Sequence, residues 1–324
     1  MLPDTFPQLD GIMRSAGAIA WGVAVAVPVD DEAWERRNRW IAGGCNAGMD
    51  YLDRYPDVRR DPRNLLEGAR SIIVAAFSYY PSQRQHPSAP QFAWYAYGRD
   101  YHEVLRTRLQ QAADTIAAIR PGATFRICVD TAPVMERYWA VKAGVGFIGR
   151  NAQLIVPGHG SACFLGEIVT DIPLTPSAPC TLACPDGCDL CIRACPGHAL
   201  SPDTRSVDAR RCLSYLTIEH RGPLPEGAPH PGRRIYGCDT CQTVCPFNRH
   251  PQPTAIPEFA PSPALLSITD ADIAALTPEA FSTLFRHSAI KRAKLASLLR
   301  NLAALSKPPS GFSEYSEISE PPSA

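Results

Sequence analysis

The sequence has no excess of charge of either sign and no long hydrophobic run. Its 32 Lys and Arg residues balance 32 Asp and Glu residues, so any nucleic-acid surface must be local and not a global basic field. The apolar run at residues 71–80 is too short to span a bilayer. The N-terminus lacks the charged-then-apolar order of a signal peptide. We therefore predict a cytoplasmic protein with no membrane segment.

A dinucleotide-binding fingerprint is also missing. The segment GVGFIG (144–149) has the glycine spacing, but it follows a predicted helix instead of opening one after a strand, so the spacing is a weak signal. Because no nicotinamide or flavin site is visible, we expect any redox chemistry to need an external low-potential electron donor.

The first ~175 residues alternate between strand and helix patterns. Residues 71–80, 124–130 and 162–171 are short apolar runs of strand length, and residues 101–119 have the apolar stripe of an amphipathic helix. Prolines at 173, 176 and 179 mark a boundary near residues 172–180. The pattern predicts a mixed α and β domain before this boundary.

Twelve cysteines require an explanation in a reducing compartment, where structural disulfides are rare. Eight of them lie between residues 184 and 245, within and between two runs that both end in Cys-Pro, CPDGCDLCIRACP (184–196) and GCDTCQTVCPFN (237–248). Cys128 and Cys163 lie in apolar runs, and we interpret them as small buried hydrophobes. The segment 180–250 is short of long apolar runs and would need metal ligation to fold.

The two runs predict two [4Fe–4S] clusters. In two-cluster ferredoxins the last Cys of each run binds the cluster of the other run. This rule divides the eight cysteines into two sets of four. We name Cys184, Cys188, Cys191 and Cys245 the outer set, and Cys195, Cys212, Cys238 and Cys241 the inner set. The first run is one residue longer than usual; a turn at Pro185 and Gly187 can absorb the insertion, with Cys180 as the alternative first ligand. Two zinc ions could use the same eight thiolates, but the Cys-Pro endings favour clusters.

Several stretches together resemble epoxyqueuosine reductase, the cobalamin-dependent iron–sulfur enzyme that completes queuosine synthesis in tRNA. They are YGRDYHEVLR (97–106), CVDTAPVMER (128–137), AGVGFIGRNAQLI (143–155), GSACFLGEIVTD (160–171), CLSYLTIEHRG (212–222) and the two cysteine runs.

The resemblance implies an α+β fold with several parts. These are a nitroreductase-like cobalamin-binding α/β domain (1–175), a ferredoxin-like domain for two [4Fe–4S] clusters (176–250), a Pro-rich linker (251–264), a short HEAT-like helical region that contacts tRNA (265–305) and a disordered tail (306–324). The family commonly continues into longer HEAT-like repeats. Within the helical region, Thr269 or Asp270 is predicted to cap one helix, and Thr277 precedes another that opens with Pro278.

The family's general acid is the Asp of its VD-S/T-AP motif, which here is Asp130. Burial at the end of an apolar strand would raise the pKa of Asp130, and an acid that is neutral near pH 7 suits protonation of the alkoxide formed when an epoxide opens. The alternative is that Asp130 is only a helix N-cap.

The resemblance also implies a cobalamin pocket. We expect it to involve Asp130 together with Tyr97, Asp100, His102, Asn151 and Ser161. The alternative for YGRDYH is a solvated helix start, in which Asp100 caps the helix and His102 is exposed.

The implied reaction is the reduction of epoxyqueuosine at the wobble position of tRNA, with electrons passing from the two clusters to cobalamin and with Asp130 as the proton donor. The donor would be a flavodoxin or a ferredoxin. No acidic residue occurs between Glu279 and Glu314, whereas this stretch contains Arg286, Lys291, Arg292, Lys294, Arg300 and Lys307. Helices there could therefore contact phosphates, although such charges are usually a solvated face. Alternative functions are a corrinoid reductive dehalogenase-like enzyme and a two-cluster electron-transfer protein without cobalamin.

Overall fold

A computed structural model describes residues 6–306 of the protein. At its centre, apolar runs pair into an antiparallel sheet. The central sheet has the strand order β1-β2-β7-β4, and every neighbouring pair in it is antiparallel. Short strands form two further pairs, β3 with β8 and β5 with β6. The strands are β1 (Ala20–Val25), β2 (Ser71–Ser78), β3 (Gln91–Phe92), β4 (Phe125–Cys128), β5 (Phe147–Ile148), β6 (Leu154–Ile155), β7 (Cys163–Thr170) and β8 (Arg234–Tyr236).

Helices cover both faces of the sheet. All eight residues of β2 are buried, because its side chains alternate between two apolar cores. Phe77 belongs to the core that contains α1 and α4, whereas Val74 belongs to the core that contains α5. The helices are α1 (Leu9–Ser15), α2 (Asp31–Ala42), α3 (Pro56–Arg60), α4 (Tyr101–Ile119), α5 (Glu136–Lys142), α6 (Leu190–Arg193), α7 (Leu213–Ile218), α8 (Thr240–Thr243), α9 (Pro263–Ser267), α10 (Asp270–Ala274), α11 (Pro278–Leu284) and α12 (Lys294–Leu305).

The predicted α and β elements of the first 175 residues are confirmed, with one difference. The strands β2 and β7 and the helix α4 lie where the apolar patterns placed them. The helix predicted after Asp130 is shorter than expected, because α5 covers only Glu136–Lys142 and Gly144 turns the chain with a φ of 71°. The GVGFIG segment therefore follows a helix and leads into the β5–β6 hairpin, not into a helix N-terminus.

The proline-rich segment 251–264 packs against the sheet domain. Ile256 and Phe259 are buried in the same core as α4, and Glu258 accepts a 2.9 Å hydrogen bond from Arg108 of that helix. The segment thus lies on the surface of the first domain, although it was expected to be a linker. The predicted domain boundaries remain predictions.

Helices α9 to α12 continue this packing. Thr269 caps α10 through a reciprocal capping box with Asp272, and Thr277 caps α11, as the sequence predicted. Residues 307–324, to which most of the predicted disordered tail belongs, lie outside the described part of the chain. Over residues 6–306, no helix has both the length and the apolar character needed to cross a membrane.

Candidate functional site

The eight clustered cysteines line two neighbouring cavities, four in each. The inner set lies in the wall of the central cavity, and the outer set lines a second, smaller cavity. Asn151 lines both. Each set combines cysteines from both runs, as the crossover rule expects. Among residues 6–306, no group of three or more His, Cys, Asp or Glu side chains is close enough to hold a single metal ion.

The thiol neighbours that act on the pKa values of Cys191 and Cys212 belong to their own sets. Burial raises the pKa of Cys191 to about 11, and negative charge on Cys245, Cys184 and Cys188 adds to the effect. Burial likewise raises the pKa of Cys212 to about 11. Binding to iron would have to supply the free energy that ionises these thiols.

The two runs fold alike, on short helices that follow the first cysteines. Cys191 lies in α6 and Cys241 lies in α8. Backbone amides donate to thiol sulfurs in both sets, from Arg150 to Cys184 (3.4 Å) and from Ala199 to Cys195 (3.3 Å). Such hydrogen bonds are among the features that set cluster potentials.

Cys184 and Cys180 differ in position. Both pack against the cluster of Phe147, Ile155 and Cys245, but Cys184 lines the outer cavity and Cys180 does not. Gly187 adopts a φ of 69° in the lengthened part of the run, which only glycine adopts at little cost.

The central cavity has a volume of about 270 Å³ and extends from the inner thiol set to the loop after β4. Its aromatic wall includes Tyr95, Tyr101 and Phe164. Asp130 lines the cavity and has a side chain that is 52% exposed. The cavity therefore opens to solvent, and a ligand larger than its volume can extend out of it.

A buried network of polar side chains forms part of the wall. Ser161 Oγ donates to Gln242 Oε1 (3.0 Å) and accepts from Asn248 Nδ2 (2.8 Å). Asn151 Nδ2 donates to the carbonyl of Cys241 (3.3 Å). Gly160 is required beside this network, because a Cβ there would lie 1.9 Å from Asn248 Oδ1. Asn151 and Ser161 thus lie where the sequence placed them, whereas Gln242 and Asn248, within the second cysteine run, were missed.

Asp130 is not a helix N-cap. Helix α5 begins at Glu136 and has Met135 at its N-cap position, so the capping alternative is wrong. Asp130 instead has a left-handed backbone with a φ of 49°, in a loop that leaves β4. Non-glycine residues in this region mark strained, often functional positions.

His102 bridges two carboxylates at the cavity edge. Its Nδ1 lies 2.7 Å from Asp100 Oδ1 and its Nε2 lies 2.8 Å from Asp130 Oδ2. Burial lowers the pKa of His102, but the hydrogen bonds and charges of the two carboxylates outweigh burial and raise it to about 9. Asp100 also caps α4, so the capping alternative is confirmed for Asp100, while His102 is half-buried and not exposed.

The expected protonation of Asp130 has to be corrected. Burial acts to raise the pKa of Asp130, but the hydrogen bond and charge of His102, helped by Tyr101 and Arg137, outweigh it and lower the pKa. At neutral pH the carboxylate is therefore ionised and the proton resides on His102. A neutral acid was expected from burial alone, because the contact of Asp130 with His102 of α4 is not visible in the sequence.

The carboxyl groups of Glu136 and Glu167 lie behind the Asp130 loop, and neither was predicted from the sequence. Glu136 Oε1 accepts the backbone N–H of Asp130 at 2.5 Å, and burial together with the charge of Asp130 raises the pKa of Glu136 to about 7. Glu167 of β7 is fully buried, and neither carboxyl oxygen has a hydrogen-bond partner. Burial raises the pKa of Glu167 far above its usual value, so the group stays protonated.

Tyr97 lies away from the cavity. Its side chain is 2% exposed, belongs to the apolar core and accepts a long hydrogen bond from the amide of Gln85. The structure thus removes Tyr97 from the candidate pocket. Tyr101, four residues along, lines the cavity instead and stacks on Phe164 with ring centres 4.3 Å apart.

The basic C-terminal residues fall into two groups. Arg292 forms a bidentate pair with Glu219 (2.8 and 2.9 Å), and Arg300 donates to the carbonyls of Leu216, His220 and Gly222. These two arginines hold α12 and the segment before it against α7. Arg286, Lys291, Arg292 and Lys294 are the basic residues exposed in the described part of this region, and Arg292 among them is paired with Glu219. Lys307 lies outside the described residues.

Family models match two parts of the chain. Residues 59–131 match the family described as Epoxyqueuosine reductase QueG, DUF1730. Residues 183–248, which contain all eight clustered cysteines, match the 4Fe-4S double cluster binding domain.

Similarity to whole proteins extends over most of the chain. Epoxyqueuosine reductase of Gloeobacter violaceus is 40% identical over 304 residues, which are 92% of this chain and 94% of the relative. A crystal structure of epoxyqueuosine reductase with a tRNA-Tyr epoxyqueuosine-modified tRNA stem loop superposes with a TM-score of 0.82 at 29% identity, covering 92% of this chain and 80% of that one. The Bacillus subtilis structure described with its catalytic Asp loop swung out of the active site has the same values.

Proposed function

The chain belongs to the epoxyqueuosine reductase family, and on that premise we propose that it reduces epoxyqueuosine to queuosine at the wobble position of tRNA. As a member of the family it is an oxidoreductase. One observation carries the detailed proposal: the inner thiol set and Asp130 line the same cavity. A reductant and a proton source therefore face one space in which a substrate can react.

We assign the outer and inner thiol sets to two [4Fe–4S] clusters. Two separate groups of four thiols, each combining both cysteine runs around its own cavity, fit this assignment. The inner set faces the reaction space, so electrons would enter at the outer set. Because no nicotinamide or flavin fingerprint is visible in the sequence, we expect a flavodoxin or ferredoxin to supply them.

We place cobalamin at the central cavity. Its aromatic wall and the amide and hydroxyl groups of Asn151, Ser161 and Gln242 suit the flat ring and amide side chains of a corrinoid. The cavity volume of about 270 Å³ is smaller than a whole corrinoid, so the cofactor would have to extend through the solvent opening beside Asp130. When bound, cobalamin supplies a cobalt centre that accepts single electrons and delivers them to the substrate.

The proton balance identifies the role of the acid pair. Removing the epoxide oxygen as water consumes two electrons and two protons and leaves a carbon–carbon double bond. Asp130 lines the cavity, and His102, which holds a proton at neutral pH, contacts it at 2.8 Å. We propose that Asp130 delivers the first proton from His102 and that the second follows by the same route after solvent at the cavity opening has reprotonated the pair, while Asp100 orients the imidazole through its other nitrogen.

The proposed partner is tRNA bearing epoxyqueuosine. A relative has been crystallised with such a stem loop, and the modified base would have to leave its stack to reach the cavity. Arg286, Lys291 and Lys294 are exposed basic residues that could contact phosphates. Arg292 and Arg300 are already bound within the protein, so we expect them to stabilise the fold and not to contact tRNA directly.

The test compares Asp130→Asn with Asp114→Asn, an exposed aspartate on α4 that contacts Gln110. The proteins are purified without oxygen, reconstituted with iron, sulfide and cobalamin, reduced, and incubated with tRNA bearing epoxyqueuosine. Nucleoside mass spectrometry should show turnover lowered by at least about 100-fold in Asp130→Asn and unchanged in Asp114→Asn, with equal iron and corrinoid contents. Retained turnover in Asp130→Asn would remove Asp130 from the mechanism.

The same preparations separate the alternatives. A two-cluster electron-transfer protein would bind iron but no stoichiometric corrinoid. A reductive dehalogenase-like enzyme would bind both and convert an organohalide but not the modified tRNA. Absence of queuosine from fully loaded, reduced wild-type protein would overturn the proposed activity.

A further inference from the structure

The loop that carries Asp130 is held in a conformation that it would not keep by itself. Asp130 is a non-glycine residue with a φ of 49°, and Thr131 turns back on Val129 through a 2.5 Å hydrogen bond. Left-handed backbone is unfavourable for such residues and persists only where surrounding contacts impose it. Contacts from outside the turn must therefore fix the position of the Asp130 carboxylate.

Contacts to both the side chain and the main chain of Asp130 meet this requirement, and Tyr101 hydrogen-bonds to the carboxylate beside His102. His102 binds the side chain, through Nε2 and Oδ2. Glu136 binds the main chain, because its Oε1 accepts the Asp130 N–H at 2.5 Å. The His102 contact is part of the proposed proton transfer, whereas the Glu136 contact has no part in it.

Glu136 is well placed to hold the loop. It is the first residue of α5, and this helix is anchored to the sheet by Trp139, which is 2% exposed. The Glu136 carboxyl, whose pKa is raised to about 7, keeps an acceptor oxygen for the Asp130 amide in both its ionised and its protonated form. Glu167, also close to this group, stays protonated, so it does not add a second negative charge that would repel the Glu136 carboxylate.

We propose that Glu136 is a positioning residue that latches the Asp130 loop into the cavity wall by accepting the Asp130 amide. The latch ties the loop to α5 and hence to the sheet, while leaving the Asp130 carboxylate available to His102 and the substrate. The inference rests on the proposed function only for the role of Asp130 as the acid. The latch itself is a property of the fold.

The latch is tested by amide hydrogen exchange in the iron-loaded protein, resolved to single residues by electron-transfer fragmentation. Glu136→Ala removes the acceptor, and we expect the Asp130 amide to exchange about 10- to 100-fold faster. Glu136→Gln keeps a carbonyl oxygen on the same side-chain length and should restore most of the protection. Asp61→Ala, which removes a carboxylate that accepts the Arg63 amide at 3.0 Å, should change exchange at Arg63 and leave Asp130 unaffected.

Turnover provides the second measurement. Glu136→Ala should lower kcat about 10- to 100-fold, because a misplaced acid protonates poorly, with iron and corrinoid contents unchanged. Glu136→Gln should recover most of that loss. Unchanged exchange at Asp130 in Glu136→Ala, or no recovery of protection in Glu136→Gln, would overturn the latch. Since exchange requires no turnover, a failure of the proposed activity would appear separately, as absent queuosine from wild-type protein.

Discussion

The sheet domain (residues 20–170) and the cysteine segment (residues 180–250) are held together by different forces. Two large apolar cores cover the two faces of the sheet, and β2 is buried along its whole length. The buried clusters around the cysteines are small, and several of their members are the cysteines themselves, although Ile218, Ile235 and Tyr236 of the same segment join the first core of the sheet. Burial of apolar surface can stabilise the first region, whereas the second depends on what its thiols bind.

The two regions meet at the central cavity, and each contributes different chemical groups to it. The cysteine segment brings four thiols to the cavity on short helices and turns. The sheet domain brings Asp130 on a loop after β4 and His102 on the first turn of α4. A rigid sheet can hold charged groups at fixed separations, as the His102 contacts of 2.7 and 2.8 Å require. The comparison predicts that changes in the two regions have different consequences.

The largest effect is expected from removing one thiol of the inner set. Cys195→Ala should lose the inner cluster and with it all turnover, and bound iron should fall by about half, since a [4Fe–4S] cluster needs its four ligands. Local exchange protection in residues 180–250 should fall as well. The matched control is Cys128→Ala in the sheet, where Cys128 is 1% exposed. This change should cost about 1 kcal/mol of stability and leave the iron content unchanged.

Iron analysis and hydrogen exchange of the two variants check this prediction. Full iron content in Cys195→Ala would contradict the assignment of Cys195. Loss of iron from Cys128→Ala would show that cluster binding requires an intact apolar core in the sheet domain.

A smaller effect is expected in the sheet. Phe77 is fully buried in β2, so Phe77→Ala should lower the free energy of unfolding by about 3–5 kcal/mol, while the folded protein keeps its iron. Val25 on the edge strand β1 is 46% exposed, and Val25→Ala should change stability by less than about 0.5 kcal/mol. Denaturant midpoints followed by circular dichroism measure both. Equal midpoints for the two variants would refute the burial argument.

The smallest effect concerns pH at the boundary of the two regions. The pKa of His102 is raised from 6.5 to about 9 in the folded state, so folding favours the protonated ring. Its contribution to stability is therefore fully present below pH 6.5 and is lost as the pH rises through about 9. We expect a difference of at most about 2 kcal/mol between wild type and His102→Gln at pH 6, shrinking above pH 9.

Thermal midpoints across this range, with the imidazole titrated by NMR, test the assignment. His86→Gln replaces an exposed ring that hydrogen-bonds to Ser88 and should keep the wild-type pH dependence. A His102 ring that titrates near pH 6.5 in the wild type would disprove the bridged arrangement.

Much of the fold followed from local pattern. The helix at 101–119 was predictable because its apolar stripe repeats at helical spacing, and the caps at Thr269 and Thr277 because their side chains precede a helix start. The family and its double-cluster segment followed from the cysteine runs and motifs. All of these signals lie within short stretches of chain.

The errors share a physical cause. Tyr97 was expected in the pocket because it neighbours Asp100 in sequence, yet the 3₁₀ turn before α4 directs its side chain into the core. The partners of Arg292 and Arg300, which are Glu219 and carbonyls in and after α7, were not visible in the sequence either, and the phosphate contact predicted for this region stays a prediction. Each depends on a partner distant in sequence, which a local pattern does not reveal.

The sequence by itself determined the fold class, the family and the number of thiols available for clusters, because each is encoded in the spacing of nearby residues. Only the tertiary structure decided that the inner thiol set shares a cavity with Asp130 and where the proton lies. The pKa of Asp130 is lowered and not raised because His102 reaches it across 28 positions of chain. Protonation depends on charges that meet in space, and the sheet brings those charges together.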